Sequence, residues 1–226
     1  MIQDEIAQSL ETESIEKTLS IVELIKSGGF AGQLIIALLT FLLIVTLYIY
    51  FERLLTIKSA SKVDPNFMNE IKDYVVNGNF DAAKVLCMNV NSPVSRLIHK
   101  GVSRIGRPLA DINSSIENAG KLEVYSLEKN VSVLATISGA APMIGFLGTV
   151  IGMILSIFEI ANSGGQIDIK LLADGLYTAM TTTVGGLVVG IIAYISYNHI
   201  VGRTNKVVYQ MEANSVEFLD LLNEPT

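Results

Sequence analysis

The side chains that could do chemistry in this sequence lie inside a stretch without charge, Asn130–Phe158. Small and hydroxyl residues recur there at spacings of three and four, so a helix would place them on one face: Gly145, Thr149, Gly152 and Ser156. Hydroxyls can hydrogen-bond across helices or hold water along a pathway, and glycines let helix backbones approach closely. We therefore expect a membrane helix with one small, polar face and one face of Ile, Leu, Met and Phe.

A second stretch, Gly175–Gly202, also lacks Lys, Arg, Asp and Glu and repeats this design. It carries the threonines Thr178, Thr181, Thr182 and Thr183, followed by Gly185, Gly186 and Gly190. Neither stretch contains an acid near its middle, so a titrating carboxylate for a proton pathway would have to come from a partner. The alternative is that the threonines and glycines only hold helices together.

No residue pattern in the sequence predicts an enzyme. His99 and His199 have no Cys, Asp or Glu at metal-ligand spacing, and the single cysteine, Cys87, cannot form a metal cluster or a disulfide within the chain. The many membrane hydroxyls have no accompanying base, so nucleophilic catalysis is unsupported. We expect no cofactor and no metal. The net charge of −6 argues against a nucleic-acid partner.

The elements that must position these residues are membrane helices, since half of the 226 residues are hydrophobic. Each apolar stretch exceeds the roughly 20 residues that a helix needs to cross a bilayer. Ala31–Phe51 is apolar almost all round and predicts a first, anchoring span. Before it, Ser14–Lys26 predicts an amphipathic helix, lying either at the membrane surface or on a partner.

Positive charges predict the orientation. Eleven of the sixteen Lys and Arg residues lie between the first and second spans, whereas the loop after the second span holds only Lys170. The fold class is therefore an all-α membrane protein with three spans, the second and third extended into a helical cytoplasmic domain. The predicted parts are a periplasmic segment (1–29), spans (30–52, 130–159, 174–202), a cytoplasmic domain (53–129), a periplasmic loop (160–173) and a cytoplasmic C-terminal helix (203–226).

Helix-capping and helix-breaking residues divide the cytoplasmic segment into several helices. Asp64-Pro65 predicts the start of one helix and Asn77-Gly78 its end, a second covers Asn79–Asn89, and a third runs from Ser92-Pro93 to Arg104. Asp111 is expected to cap a long helix. Helical spacing then continues across the junction with the second span, which predicts one unbroken rod; the residues are Ile112, Ile116, Leu127, Val131 and Leu134.

Three motifs resemble the MotA/TolQ/ExbB proton-channel family: APMIGFLGTVIGMI in the second span, LADGLYTAMTTTVGGLVVGIIAYISYN in the third, and NSPVSRLIHKG in the cytoplasmic segment. The three-span layout is most similar to ExbB or TolQ. The resemblance implies a bacterial inner-membrane pentamer whose second and third spans line a pore. That pore would enclose an ExbD- or TolR-like single-span partner, which supplies a membrane aspartate. A TonB-like protein would transmit the energy of proton flow to outer-membrane receptors.

The resemblance also implies which residues act. Thr149 and Thr183 match the family threonines that face the partner aspartate. The expected pathway further includes Thr182, Thr178, Gly145, Gly152 and Ser156, and the expected packing residues are Gly148, Gly186, Gly190 and Pro142. The sequence departs from many relatives by having Thr178 in place of a glutamate and Ile192 in place of a proline. Since a hydroxyl cannot store a proton, Thr178 is expected to hold water only.

The resulting hypothesis is an ExbB-like pore-wall subunit that couples the proton motive force to TonB-dependent outer-membrane transport. The same motifs would serve a TolQ-like subunit of the Tol–Pal envelope system. The third alternative is a non-conducting membrane scaffold, in which the polar faces only pack helices.

Overall fold

The computed structural model describes residues 29–62, 64–162 and 169–223, and the secondary structure in those ranges is helical throughout. The helices in chain order are α1 (Gly29–Ala60), α2 (Phe67–Val76), α3 (Phe80–Asn89), α4 (Pro93–Val102), α5 (Leu109–Glu128), α6 (Val131–Asn162) and α7 (Ile169–Asn223). By length and composition α1, α6 and α7 could each cross a membrane. This confirms the predicted all-α class with three helices able to span a membrane. The amphipathic segment predicted at Ser14–Lys26 lies outside the described residues.

Local signals set the ends of the short helices much as the sequence predicts. The Asn79 side chain accepts a hydrogen bond from the Ala82 N–H at 3.3 Å, and Ser92 forms a reciprocal capping box with Ser95 at the start of α4. Gly78, which follows α2, has a φ of +70°, a conformation that favours glycine. At the start of α2, Asp64 instead accepts from the Asn66 N–H at 2.9 Å in a turn before the helix.

The helix before the second span differs from the prediction at both ends. It begins at Leu109, and Asp111 lies in its first turn without capping it. It ends at Glu128, so the prediction of one unbroken rod into the second span is wrong. Asn130 adopts a φ of +63°, which interrupts the helix before α6 begins. Asparagine is one of the few residues that adopt this left-handed conformation readily.

Arg53 supports the end of α5 from a distant part of the chain. Its Nη1 donates to the Ser126 carbonyl at 3.0 Å, and its Nη2 donates to Glu52. The Ser126 carbonyl is one of the last four of α5, which have no partner within the helix. A cation there also complements the negative end of the helix dipole. Arg53 itself is only 5% exposed.

The described residues form two compact units. The first contains the described parts of Met1–Leu42 and Ala140–Gly190, and the second those of Leu43–Gly139 and Ile191–Thr226. In the second unit α2 to α5 pack each against the next. Its hydrophobic core includes Phe67, Ile71, Ile98, Ile200 and Phe218, all at most 2% exposed. The small and hydroxyl residues of the two uncharged stretches, Asn130–Phe158 and Gly175–Gly202, lie mainly in the first unit.

Candidate functional site in helices α6 and α7

Glycines bring the α6 and α7 backbones into close contact in the first unit. A Cβ atom added at Gly145 would lie 2.7 Å from the Thr182 carbonyl oxygen and 3.0 Å from the Gly186 Cα. A Cβ at Gly186 would lie 2.5 Å from the Ala141 carbonyl oxygen. Both positions therefore face backbone, which cannot swing aside as a side chain can. This close approach is the reason for glycine at both places.

The contact continues along both helices with other small residues. A Cβ at Gly148 would lie 2.7 Å from the Thr182 Cβ, and one at Gly152 would lie 3.3 Å from the Ala179 Cβ. Ser156 lies against Gly175 one turn further on. A small-residue seam thus joins α6 and α7.

Three of the predicted pathway hydroxyls lie within packed structure. Thr182, Ser156 and Thr178 are 0%, 4% and 8% exposed, and each donates to a carbonyl of its own helix at 2.9 to 3.0 Å. Thr182 and Ser156 belong to the seam, whereas the Thr178 methyl group lies 2.7 Å from the position of a Cβ added at Gly32 of α1. In a single chain these side chains are buried between helices, and their hydroxyls bond only to their own helix.

Thr149 and Thr183 differ from those three because both are only half-buried. Thr183 Oγ1 donates across the seam to the Gly145 carbonyl at 3.2 Å, and Thr149 Oγ1 donates to the Phe146 carbonyl of its own helix. Gly145 precedes Thr149 by one helical turn, so the two threonines are on neighbouring turns of the paired helices. The structure thus brings the two predicted partner-facing threonines to one partly open region.

The remaining predicted packing residues also lie in this unit. Gly148, Gly186 and Gly190 are buried. Pro142 is half-buried inside α6, which continues through it.

No ionisable side chain is buried among the described residues of this unit. The carboxylates among its described side chains are Glu159 and Asp174, both exposed. Glu159 lies ten residues beyond Thr149 and Asp174 nine residues before Thr183, or about 15 and 14 Å along the helices. Neither carboxylate can reach the threonines. Among the described residues of this unit, no carboxylate lies beside Thr149 and Thr183.

Comparison with known proteins shows the family of this chain. Residues 89–213, which are more than half of the chain, match the model of the MotA/TolQ/ExbB proton channel family. The chain belongs to that family. The matched range contains the whole of α4, α5 and α6 and most of α7, including every residue of the seam. Membership places the chain among membrane channel and transport proteins and not among enzymes.

Individual relatives in the MotA/TolQ/ExbB family carry both ExbB and TolQ names. A biopolymer transport protein ExbB homolog of Methanothermobacter thermautotrophicus is 27% identical over 85% of this chain and 67% of its own length. An ExbB-like 2 protein of Helicobacter pylori is 39% identical over 39% of this chain, and the match spans 57% of that relative. The TolQ protein of the Haemophilus influenzae Tol–Pal system is 35% identical over 38% of this chain and 37% of its own.

The sequence did not predict a polar link in the second unit between α1 and α7. Arg203 Nε donates to His199 Nε2 at 3.0 Å, and His199 Nδ1 lies 2.8 Å from the Tyr50 hydroxyl. Because Nε2 accepts from Arg203, the proton of a neutral imidazole sits on Nδ1 and is donated to Tyr50. The four-residue spacing of His199 and Arg203 could have indicated one half of this link, but nothing in the sequence pairs them with Tyr50.

Proposed function

We propose that this chain is an ExbB-like pore-wall subunit of a proton channel and motor in the bacterial inner membrane. It would couple the proton motive force to TonB-dependent outer-membrane transport. One observation carries the proposal: two half-buried hydroxyls, Thr149 and Thr183, flank a helix contact in which the described residues provide no carboxylate. Hydroxyl groups alone do not carry a proton across the membrane, so a pore wall of this kind needs a carboxylic acid from a partner.

The threonine geometry suggests how the wall would meet that acid. Both hydroxyl protons are donated to backbone carbonyls, of Phe146 for Thr149 and of Gly145 for Thr183. Each oxygen still has lone pairs that can accept a hydrogen bond. Two acceptors suit a protonated carboxyl or a water, both of which donate. The wall would therefore stabilise the neutral, proton-loaded form of the partner acid as it passes.

The assembly that fits this role is a homo-oligomer, a pentamer in the proposal, around an ExbD- or TolR-like single-span partner, with a TonB-like protein receiving the work. Large apolar side chains are exposed along α6 and α7, among them Met143, Phe146, Ile154 and Val184, so these helices need lipid or protein around them. The positive charges between α1 and α6 favour a cytoplasmic α2–α5 segment and C-terminus, with a periplasmic N-terminus.

Two other functions fit parts of the same observations. A TolQ-like role in the Tol–Pal system is supported by the similarity to the Haemophilus TolQ protein. A non-conducting scaffold is supported by Thr182, Ser156 and Thr178, which are buried and donate to carbonyls of their own helices. The TolQ-like role predicts proton flux with a Tol–Pal partner, whereas a scaffold predicts no proton flux with any partner.

The test is proton flux into liposomes that contain the complex purified with its single-span partner. Thr149→Val and Thr183→Val should keep the assembly intact yet cut flux by at least about tenfold, since each removes one polar group from the proposed wall. Thr40→Val is the matched control, because Thr40 is exposed on α1 and donates to the Ile36 carbonyl of its own helix at 2.8 Å. Unchanged flux in both variants would overturn the pore-wall assignment.

A further inference from the structure

A basic cavity lies between the end of α4 and the first turns of α5. It has a volume of about 330 Å³ and is lined by Lys100, Arg104, Leu122 and the carboxylate of Asp111, among others. Neither Lys100 nor Arg104 forms an ion pair with any described residue. Leu122 is 72% exposed. This surface therefore presents two unpaired cations beside an uncovered apolar side chain.

An acidic cavity of similar size, about 310 Å³, lies between α2 and the C-terminal part of α7. Val216, Glu217, Asp220 and Lys72 are among its lining residues. Glu217 and Asp220 make no ion pair within the described part of the chain, and Val216 is 57% exposed. This surface presents two unpaired carboxylates beside an uncovered apolar side chain, so it mirrors the basic one with the charges reversed.

We propose that the exposed residues around the basic cavity of one copy of this chain pack against the exposed acidic residues of α7 in a second copy. Lys100 and Arg104 would meet Glu217 and Asp220, and Leu122 would pack against Val216. The two minority charges, Asp111 and Lys72, are also opposite in sign. Because the two surfaces differ, the contact is head-to-tail, the kind of contact that closes rings. This inference rests on the ring assembly of the proposed function.

Both surfaces belong to segments that the distribution of positive charges predicts to be cytoplasmic, one between the first and second spans and the other after the third span. Neighbouring copies would therefore present these surfaces on the same side of the membrane. Apolar contacts rimmed by opposite charges are typical of specific interfaces.

The test is disulfide crosslinking of the complex in its own membranes. In a Cys87→Ala background, Leu122→Cys combined with Val216→Cys should give a ladder of crosslinked oligomers on mild oxidation. Leu55→Cys with Val216→Cys is the control, because Leu55 is exposed to a similar extent on α1, and it should give no ladder. Copies that do not dock in this way would leave the first pair as monomers too, which would overturn the inference.

A charge swap separates electrostatic docking from chance proximity. Lys100→Glu with Arg104→Glu should lower the ladder yield by about tenfold, and adding Glu217→Lys with Asp220→Lys should restore it. The double change Lys58→Glu with Lys62→Glu carries the same charge difference elsewhere and should leave the yield unchanged. Loss without restoration, or crosslinks only to an unrelated protein, would refute docking between copies.

Failure of this inference can be told apart from failure of the proposed function. Native mass spectrometry of the same membranes counts the copies in the complex. A ring without the ladder would refute the contact but keep the assembly, whereas a monomer without the ladder would remove the proposed assembly as well.

Discussion

An alanine at Gly145 or Gly186 should force α6 and α7 apart. The added Cβ at Gly145 would lie 2.7 Å from the Thr182 carbonyl oxygen, and ordinary contact begins at 3.4 Å, so the backbones must separate by about 0.7 Å. At Gly186 the contact of 2.5 Å with the Ala141 carbonyl oxygen requires about 0.9 Å. The 3.2 Å hydrogen bond from Thr183 to the Gly145 carbonyl would then exceed 3.5 Å.

The expected loss of stability follows from two terms. Overpacking of a close contact costs about 1–3 kcal/mol, and an interhelical hydrogen bond in a membrane protein is worth about 0.6 kcal/mol. Gly139→Ala is the matched control, because its Cβ would meet nothing within 4 Å and alanine is the better helix former. Gly145→Ala should therefore be about 2–4 kcal/mol less stable than Gly139→Ala.

The assay is reversible unfolding of the purified protein in mixed micelles with increasing SDS. A double-mutant cycle with Thr183→Val isolates the hydrogen bond, and the cost of Gly145→Ala should fall by about 0.6 kcal/mol in that background. If Gly145→Ala and Gly186→Ala both unfold like Gly139→Ala, the seam is not a close contact and this reasoning is wrong.

Two further substitutions and one labelling experiment test other parts of the molecule. Asn130→Val should lower the free energy of unfolding by about 1–2 kcal/mol relative to Asn130→Gly, because the φ of +63° strains a β-branched residue. Arg53→Met should cost about 2–3 kcal/mol of unfolding free energy, because it leaves the Ser126 carbonyl without its donor. Burial raises the pKa of the Cys87 thiol to about 12, so iodoacetamide should label it at pH 8 roughly a thousandfold more slowly than an exposed cysteine.

Each of these three predictions has a defined outcome that would contradict it. Equal unfolding curves for the two Asn130 variants would mean that the break between α5 and α6 is not held in the left-handed conformation. An Arg53→Met protein as stable as the wild type would show that the link to α5 contributes nothing. Rapid labelling of folded protein would show that Cys87 is accessible as a thiolate.

The sequence predicted where α3 and α4 start because those signals are local, but the caps predicted at Asp64 and Asp111 do not form. It failed at Asn130 for a physical reason. The apolar spacing that suggested one rod is correct as a burial pattern, since Leu127, Val131 and Leu134 are all at most 5% exposed. Burial on the same side does not require an unbroken backbone, however. The end of α5 beside the break also accepts a hydrogen bond from Arg53, a residue 73 positions from its acceptor Ser126, and no local pattern indicates that contact.

Helical spacing was also too coarse to sort the hydroxyls of the candidate site. It placed Thr149 on the same face as Gly145 and Gly152, and those two glycines do contact α7. The contact between them is made by Gly148, however, and Thr149 is left half-buried. In the run of threonines in α7, Thr182 is buried in the seam while its neighbour Thr183 reaches across it to Gly145. Adjacent residues differ by about 100° around a helix, and only the position of the second helix decides between them.

The central claim is that this chain supplies the wall of a proton pathway and a partner supplies the acid. Native mass spectrometry of a C-terminally tagged copy, extracted gently from its own membranes, tests it most directly. The account predicts a ring of this chain that holds a small single-span protein with a carboxylate in its membrane segment. A ring alone, or a monomer, would contradict the account and leave Thr149 and Thr183 as packing residues.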